Sequence, residues 1–283
     1  MFAKKVAVIL TVFNRKNVTI RGLNTLIAAI GELGKDYTFD IYMTDDGSSD
    51  GTSSAVRKAF PNVVIIDGDG TLFWGGGMRK AWQAAVDSQT EYDYYLWYND
   101  DSELYPNALK VMFDDVKDDC IVTGAFCDHS NTPSYGGKYK DGEVMAPNGD
   151  FQDVNLMNGN LVLIPHRIYS TIGMIDKRMT HAGGDYDYGH RARKKGFRVL
   201  LSKEYVGISD RHDSFVPKCY SPELPFKKRW QLLHTPIYSP YKRMRYSLIY
   251  CGLKNTFISF VVSYIGVFSP STYSRIKNKY SKK

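Results

Sequence analysis

Apolar positions in the first 125 residues alternate between two spacings. Continuous runs at Lys5–Thr11, Phe39–Thr44, Val63–Ile66 and Tyr94–Tyr98 have the length of strands buried on both faces. Between them, Val18–Leu33 repeats apolar residues at three- and four-residue intervals, the period of a helix with one buried stripe. A short helix is expected at Ala55–Ala59. A glycine-rich loop, Gly70–Gly77, opens another at Gly77–Ser88. Strand and helix in alternation predict an α/β fold with a doubly wound, mostly parallel sheet. Helix Asn107–Asp115 and strand Cys120–Ala125 complete this half.

After Phe126 the rhythm changes. Cys127–Asp150 is rich in Gly, Pro, Asn, Ser and Tyr and reads as a loop or small hairpin. A strand at Leu161–Ile164 follows Met157-Asn158-Gly159-Asn160, with a helix at Gly184–Lys195 and a short strand at Arg198–Leu201. Prolines at 222, 225, 236 and 240 mark a linker. The expected organisation is a domain over 1–221, with halves of about 1–125 and 126–221, and a separate helical segment over 222–283. The longest apolar run of that segment, Thr256–Phe268, falls short of the ~20 residues that span a bilayer. It is expected to lie on a membrane or pack on the body.

Charge sharpens the division. Of 37 Lys and Arg, 12 lie between Leu224 and Lys283, where there is no Asp or Glu; the other 25 share the rest of the chain with all 30 acidic residues. The basic residues are interleaved with Trp230, Tyr238, Tyr241, Tyr246, Tyr250, Phe257, Phe260, Tyr264 and Phe268, a mixture that suits a bilayer headgroup boundary. Four cysteines without CxxC or zinc spacing point to a reduced, cytoplasmic compartment. Met1–Leu10 reads as a first strand, since its apolar run is brief and no small-residue cleavage site follows.

Candidate chemistry collects at strand ends. Tyr94–Tyr98 runs into Asn99-Asp100-Asp101, and carboxylates there are costly to desolvate unless a positive group meets them. Ligands of open α/β sheets bind at the carboxyl ends of strands, and Mg2+ or Mn2+ shares hard oxygen ligands with phosphates. The bland reading is an acidic turn. Asp45-Asp46-Gly47-Ser48-Ser49-Asp50-Gly51-Thr52 ends the second strand at the same edge. Asp45 and Asp46 can accept from a base N–H or a ribose hydroxyl, whereas Ser49 and Asp50 read as a cap for the next helix. In Gly70-Thr71-Leu72-Phe73-Trp74-Gly75-Gly76-Gly77-Met78-Arg79, backbone N–H groups can face anionic oxygen, Trp74 can stack on a sugar or base, and Arg79 can face phosphate. No Gly-Lys-Ser/Thr follows, so this is not a Walker A loop. Tight helix–sheet packing with Trp74 in the core is the alternative.

Thr11-Val12-Phe13-Asn14-Arg15, the Asp45–Thr52 turn, Asn99-Asp100-Asp101 and Gly184-Asp185-Tyr186-Asp187 resemble, in order and spacing, the motifs of family-2 glycosyltransferases over about residues 4–215. The resemblance implies an inverting glycosyltransferase with the glycosyltransferase A-type fold: a Rossmann-like nucleotide-sugar-binding half joined to an acceptor-binding half. It implies that Thr11, Phe13 and Arg15 border the nucleotide with Asp45 or Asp46 at the base, and that Gly70, Trp74, Gly75, Met78, Arg79, Asn99 and Asp100 line the donor. Asp101 and His212 are implied as ligands of Mg2+ or Mn2+, and Asp185 as the catalytic base that takes a proton from the acceptor hydroxyl. Asn158, Gly159 and Asp187 fall at the acceptor or sugar. Asn99 and Gly184 depart from the acidic residues many relatives carry there.

The implied partners are a nucleotide-diphosphate sugar donor (UDP, dTDP or GDP) and a glycan or lipid-linked acceptor in cell-surface polysaccharide assembly, such as lipopolysaccharide O-antigen or capsule. The C-terminal segment adds the expectation of peripheral contact with the inner face of the cell membrane. A sugar nucleotidyltransferase shares the sheet and the carboxylates, but Asn14-Arg15-Lys16 is a poor version of its basic glycine-rich signature. A nucleic-acid-binding protein would rest on the basic tail alone. The acid-rich strand ends repel phosphate without a metal, so no nucleic acid is expected.

Overall fold

The computed structural model describes residues 3–114, 116–181, 183–210, 217–235 and 237–280. Two compact units emerge, Met1–Lys177 with Gly184–Arg211, and Arg178–Gly183 with His212–Lys283.

In the first unit, strands β1 (Lys4–Val12), β2 (Tyr37–Asp45), β3 (Val64–Asp67) and β4 (Tyr94–Tyr98) pair in parallel, in the order β3-β2-β1-β4. Helices α1 (Lys16–Glu32), α2 (Thr52–Ala59) and α3 (Phe73–Asp87) connect them. Next come β5 (Glu103–Leu104), α4 (Ala108–Phe113), β6 (Cys120–Cys127), β7 (Pro133–Tyr135), β8 (Gly137–Lys138), β9 (Gln152–Asp153), β10 (Leu156–Met157), β11 (Leu161–Pro165), α5 (His166–Ile172), α6 (Gly184–Lys194) and β12 (Arg198–Ile208). The sheet continues past β4 as β11-β6-β12-β5, with β11 antiparallel to both neighbours. The sheet is parallel in its first half, as the alternating pattern predicts, and mixed in its second.

Burial explains the pattern. All residues of β4, β6 and β11 are buried, which is why these strands read as unbroken apolar runs. Helix α1 buries Thr19, Gly22, Leu23, Leu26 and Ala29 along one stripe. Tyr94, Leu96 and Tyr98 join the core on one face of β4. On the other face Trp97 meets Trp74, Trp82 and Tyr188, each with ring centroids under 6 Å apart.

Two elements differ from expectation for local reasons. Strand β12 runs to Ile208 because the Ser202 hydroxyl accepts from the Ala125 amide and donates to the Glu204 carbonyl, carrying the pairing through a register shift. Helix α3 starts at Phe73, so Gly75, Gly76 and Gly77 belong to its first turns rather than to a loop. A Cβ at Gly77 would overlap the Thr11 side chain, and Thr44 donates to the Gly77 carbonyl. These glycines bring helix and sheet together.

In the second unit, α7 (Phe226–Leu233), α8 (Pro240–Tyr250), α9 (Gly252–Phe268) and α10 (Pro270–Tyr280) accompany a small core of Cys219, Tyr220, Leu233 and Val267. Among the described residues no helix is long and apolar enough to cross a membrane.

Gly22 faces the turn after β4, where a Cβ would overlap the Asp100 carbonyl oxygen and stand 2.8 Å from the Tyr98 hydroxyl. Gly22→Ala should therefore cost about 1–3 kcal/mol, read as a lower urea midpoint at unchanged m-value.

Candidate active site at the sheet edge

Parallel strands β1, β2, β3 and β4 all finish at one edge, with Val12 paired to Asp45 and Asp45 to Asp67. Because β11 runs antiparallel to β4, with Leu161 opposite Tyr98, residues 158–160 reach the same edge. The sequence candidates converge there, but they have different partners.

Asp45 and Asp46, each buried, serve their own loops. Asp45 accepts from the Ser48 amide at 2.8 Å and from the Ser53 hydroxyl. Asp46 accepts from the amides of Gly70 (2.9 Å), Leu72 (3.3 Å) and Phe73 (2.9 Å), fixing the glycine segment in place. Phe73 sits at φ 54, a conformation that costs about 1 kcal/mol and is held by this bond. Asp50 takes the Thr52 amide in a turn just before α2, whose N-cap is Gly51 rather than the Ser49 or Asp50 expected, and also takes the Lys16 amide at the start of α1. Asn14 accepts from the Ser49 amide, so the loops after β1 and β2 are sewn together, with Phe13 half-exposed beside them.

The turn after β4 divides its two carboxylates. Asp100 is buried and accepts from the Thr19 hydroxyl at 2.5 Å and from Arg15 Nη1 at 3.0 Å. Burial pushes its carboxyl up to about 6, against the opposing pull of Arg15 and Thr19. Asp101, with 32% of its side chain exposed, meets the same Arg15 nitrogen at 3.0 Å. Asn99 Oδ1 accepts the Trp74 indole N–H at 2.9 Å, while its amide nitrogen donates to Asn160 Oδ1 at 3.2 Å.

Those bonds lead to Asp185. The Trp74 ring lies over Gly159, where a Cβ would come within 2.8 Å of the indole. The Gly159 amide donates to Asp185 Oδ2 at 3.2 Å, and the Tyr186 amide donates to Oδ1 at 2.9 Å. Asp185, in the first turn of α6, keeps part of its surface open, and burial of its carboxyl pushes it up to about 6 despite these bonds. Asn158 shapes the loop by accepting the Asn160 amide and donating its own amide to Gly136.

Other candidates are engaged elsewhere. Met78 is fully buried, and Gly75 is buried within α3. Arg79, half-buried, donates to the Asp176 carbonyl at 3.1 Å. Asp187 is buried and pairs at 2.8 Å with Arg191, which also holds the Ile172 and Met174 carbonyls. His212 lies outside the described residues. One contributor, Thr19, escapes the sequence reading, and another, Asn160, enters it only as the end of the Met157–Asn160 segment. Thr19, four residues after Arg15 on α1, clamps Asp100. Asn160 joins Asn99, Ser102 and Ser209 from a buried position. A spacing of four on the helix face was the available signal for Thr19.

Among the described residues no three His, Cys, Asp or Glu side chains form a ready cation cage. Asp101 can supply one carboxylate ligand. That fits Mg2+ or Mn2+ held mainly by substrate phosphates and water, as hard divalent cations commonly are.

A family model described as "Glycosyl transferase family 2" matches residues 7–170, more than half of the chain. No curated protein matches the chain in sequence. Among solved structures, GalNAc-T7 with UDP, GalNAc and Mn2+ is similar at a TM-score of 0.57 and 12% identity, over 86% of this chain and 50% of that one. The chain thus spans half the length of that relative. The mannosyltransferase PcManGT from Pyrobaculum calidifontis, in complex with GDP-Man and Mn2+, is similar at a TM-score of 0.53 and 14% identity, over 100% of this chain and 89% of that one. These likenesses establish a shared fold.

Replacing the hub of the glycine segment tests its role. Asp46→Ala leaves three backbone N–H groups without their acceptor. It should cost roughly 2–4 kcal/mol and abolish hydrogen-exchange protection at Gly70, Leu72 and Phe73 ahead of global unfolding.

Proposed function

Since the chain belongs to glycosyl transferase family 2, a family of glycosyltransferases that use nucleotide-sugar donors, we propose an inverting transfer from a nucleotide-diphosphate sugar to an acceptor hydroxyl. The observation that carries this reading is the hydrogen-bonded path from Asn99 through residues 160 and 159 to Asp185, with Trp74, bonded to Asn99, packed over Gly159. It ties a carboxylate with a raised pKa to the edge where Asp101 opens to solvent. Family membership favours sugar transfer over nucleotidyl transfer.

In this reading Asp185 accepts the proton of the acceptor hydroxyl as that oxygen bonds to the anomeric carbon. The bond to the diphosphate breaks on the opposite face, and the diphosphate leaves with the electron pair. Asp101 would hold Mg2+ or Mn2+, Mn2+ being the cation bound in the similar structures, and the cation would supply charge neutralisation for the leaving group. Arg15, at the same turn, adds positive charge. Trp74 and Gly159 offer a flat surface on which a sugar ring can rest. UDP, GDP and dTDP sugars are the donors to test.

For the acceptor, we propose a lipid-linked glycan in surface polysaccharide assembly, reached from the cytoplasmic side of the membrane. The second unit supports this. Leu253 (79% exposed), Phe257 (69%) and Val261 repeat at four-residue intervals on α9, with Phe268 on the same face. The segment from Leu224 onward carries 12 basic residues and no acidic ones. An apolar stripe in a cationic setting suits an anionic bilayer surface.

Three measurements address this function. With the correct donor, kcat/KM should rise with pH through a limb near 6, as Asp185 becomes a base only on losing its proton. Asp185→Asn should keep nucleotide affinity within about twofold yet lose roughly 10²–10⁴-fold in turnover; near-normal turnover would remove Asp185 as base. The full chain should float with anionic vesicles and not with neutral ones, and Leu253→Glu with Phe257→Glu should abolish flotation. Equal flotation by that double variant would set the membrane reading aside.

A further inference from the structure

Arg15 occupies an unusual place in this site. It stands immediately before α1, and a single guanidinium nitrogen, Nη1, lies 3.0 Å from Asp100 Oδ1 and 3.0 Å from Asp101 Oδ2. That is where a cation bridging the two carboxylates would sit. Nε and Nη2 have no hydrogen-bond partner among the described residues, and the side chain is 41% exposed. Asp100 has a second, permanent partner in the Thr19 hydroxyl. Among the described residues Asp101 has no other charge partner, so Arg15 is what satisfies it.

We propose that Arg15 is an internal counter-cation that locks Asp101 against free metal and releases it only to a cation arriving with the donor diphosphate. The reasoning is a competition for one oxygen. A free divalent cation would gain a single exposed carboxylate and would have to displace a guanidinium already in contact with two. A nucleoside diphosphate changes both sides of that balance. Its oxygens offer the cation several more ligands, and they offer Arg15 a bidentate partner for the donors now facing solvent. Thr19 keeps its bond to Asp100 while Arg15 moves, and the arriving cation on the neighbouring Asp101 restores the positive charge beside it. Metal and nucleotide then bind with strong mutual dependence, and the device lies in a side chain outside the metal's own ligands. This proposal rests on the reading of Asp101 as the metal ligand.

The test measures Mn2+ binding by calorimetry and by the loss of the free-ion electron paramagnetic signal, without substrate turnover. Wild type, Arg15→Gln and Arg15→Lys are each titrated alone and with saturating UDP, GDP or dTDP. The lock predicts weak Mn2+ binding by wild type alone and a large gain with the recognised nucleotide. For Arg15→Gln it predicts Mn2+ affinity in the absence of nucleotide at least about fivefold above wild type, a weaker nucleotide affinity, and a reduced nucleotide-dependent gain. Arg15→Lys, which keeps one charge, should stay nearer wild type. If Mn2+ binds wild type with nucleotide but Arg15→Gln leaves the nucleotide-free affinity unchanged or lower, the lock is overturned while the metal site stands. If no variant binds Mn2+ under any condition, the metal site and the lock fall together.

Discussion

A carboxylate taken out of water must find compensation inside the protein, at a cost of several kcal/mol if it does not. Much of this site follows from how that demand is met. Asp45 is satisfied by its own turn, Asp46 by three amides of the next loop, Asp100 by Thr19 and Arg15, and Asp187 by Arg191. Each solution also builds something: Asp46 shapes the start of α3, Asp100 fastens the β4 turn to α1, and Asp187 fastens α6 to the end of α5. Asp101 and Asp185 stand apart. One depends on a single exchangeable ion pair, and the other has only backbone donors and a raised pKa. Carboxylates with unfinished coordination are the ones on which the proposed chemistry is placed.

Position is enforced from below as well. Trp74 lies edge-on to Trp97, which packs with Trp82 and Tyr188 of α6. The indole that donates to Asn99 therefore rests on the same aromatic layer that seats the helix bearing Asp185. A reacting group held by such packing loses little freedom when substrate arrives, the source of much of the advantage of preorganised sites.

The strands were legible because β1, β2 and β4 are apolar runs buried on both faces, and α1 because its buried residues keep helical spacing. The carboxylates at the strand ends were legible as a group, and the family resemblance agrees with the matching family model. Their division of labour was not. Asp185 and Asp187 lie two residues apart and so about 200° apart around α6, which sends one toward Gly159 and the other toward Arg191. With a helix start at Gly77, Met78 falls at the mouth of the helix, beside the glycine loop. With the start at Phe73, it lies in the second turn and faces the core. Asp46 and Phe73 are far apart in the chain, and no local pattern announces their bond. The same holds for Thr19 with Asp100, 81 positions on.

The antiparallel course of β11 has a wider consequence. Strand β6 ends, and β11 begins, at the edge where the acidic turns lie, so residues 128–160 make a closed excursion from that edge and back. The entropic charge for such a loop grows only with the logarithm of its length, about 0.6 kcal/mol per doubling. The excursion's exposed turn at residues 139–142 can therefore change length at small cost, whereas β7 and β9 are tied to the sheet and residues 158–160 to Asn99 and Asp185. The face opposite the acidic turns can vary at that tip, while the turns themselves stay bound to strands buried on both faces.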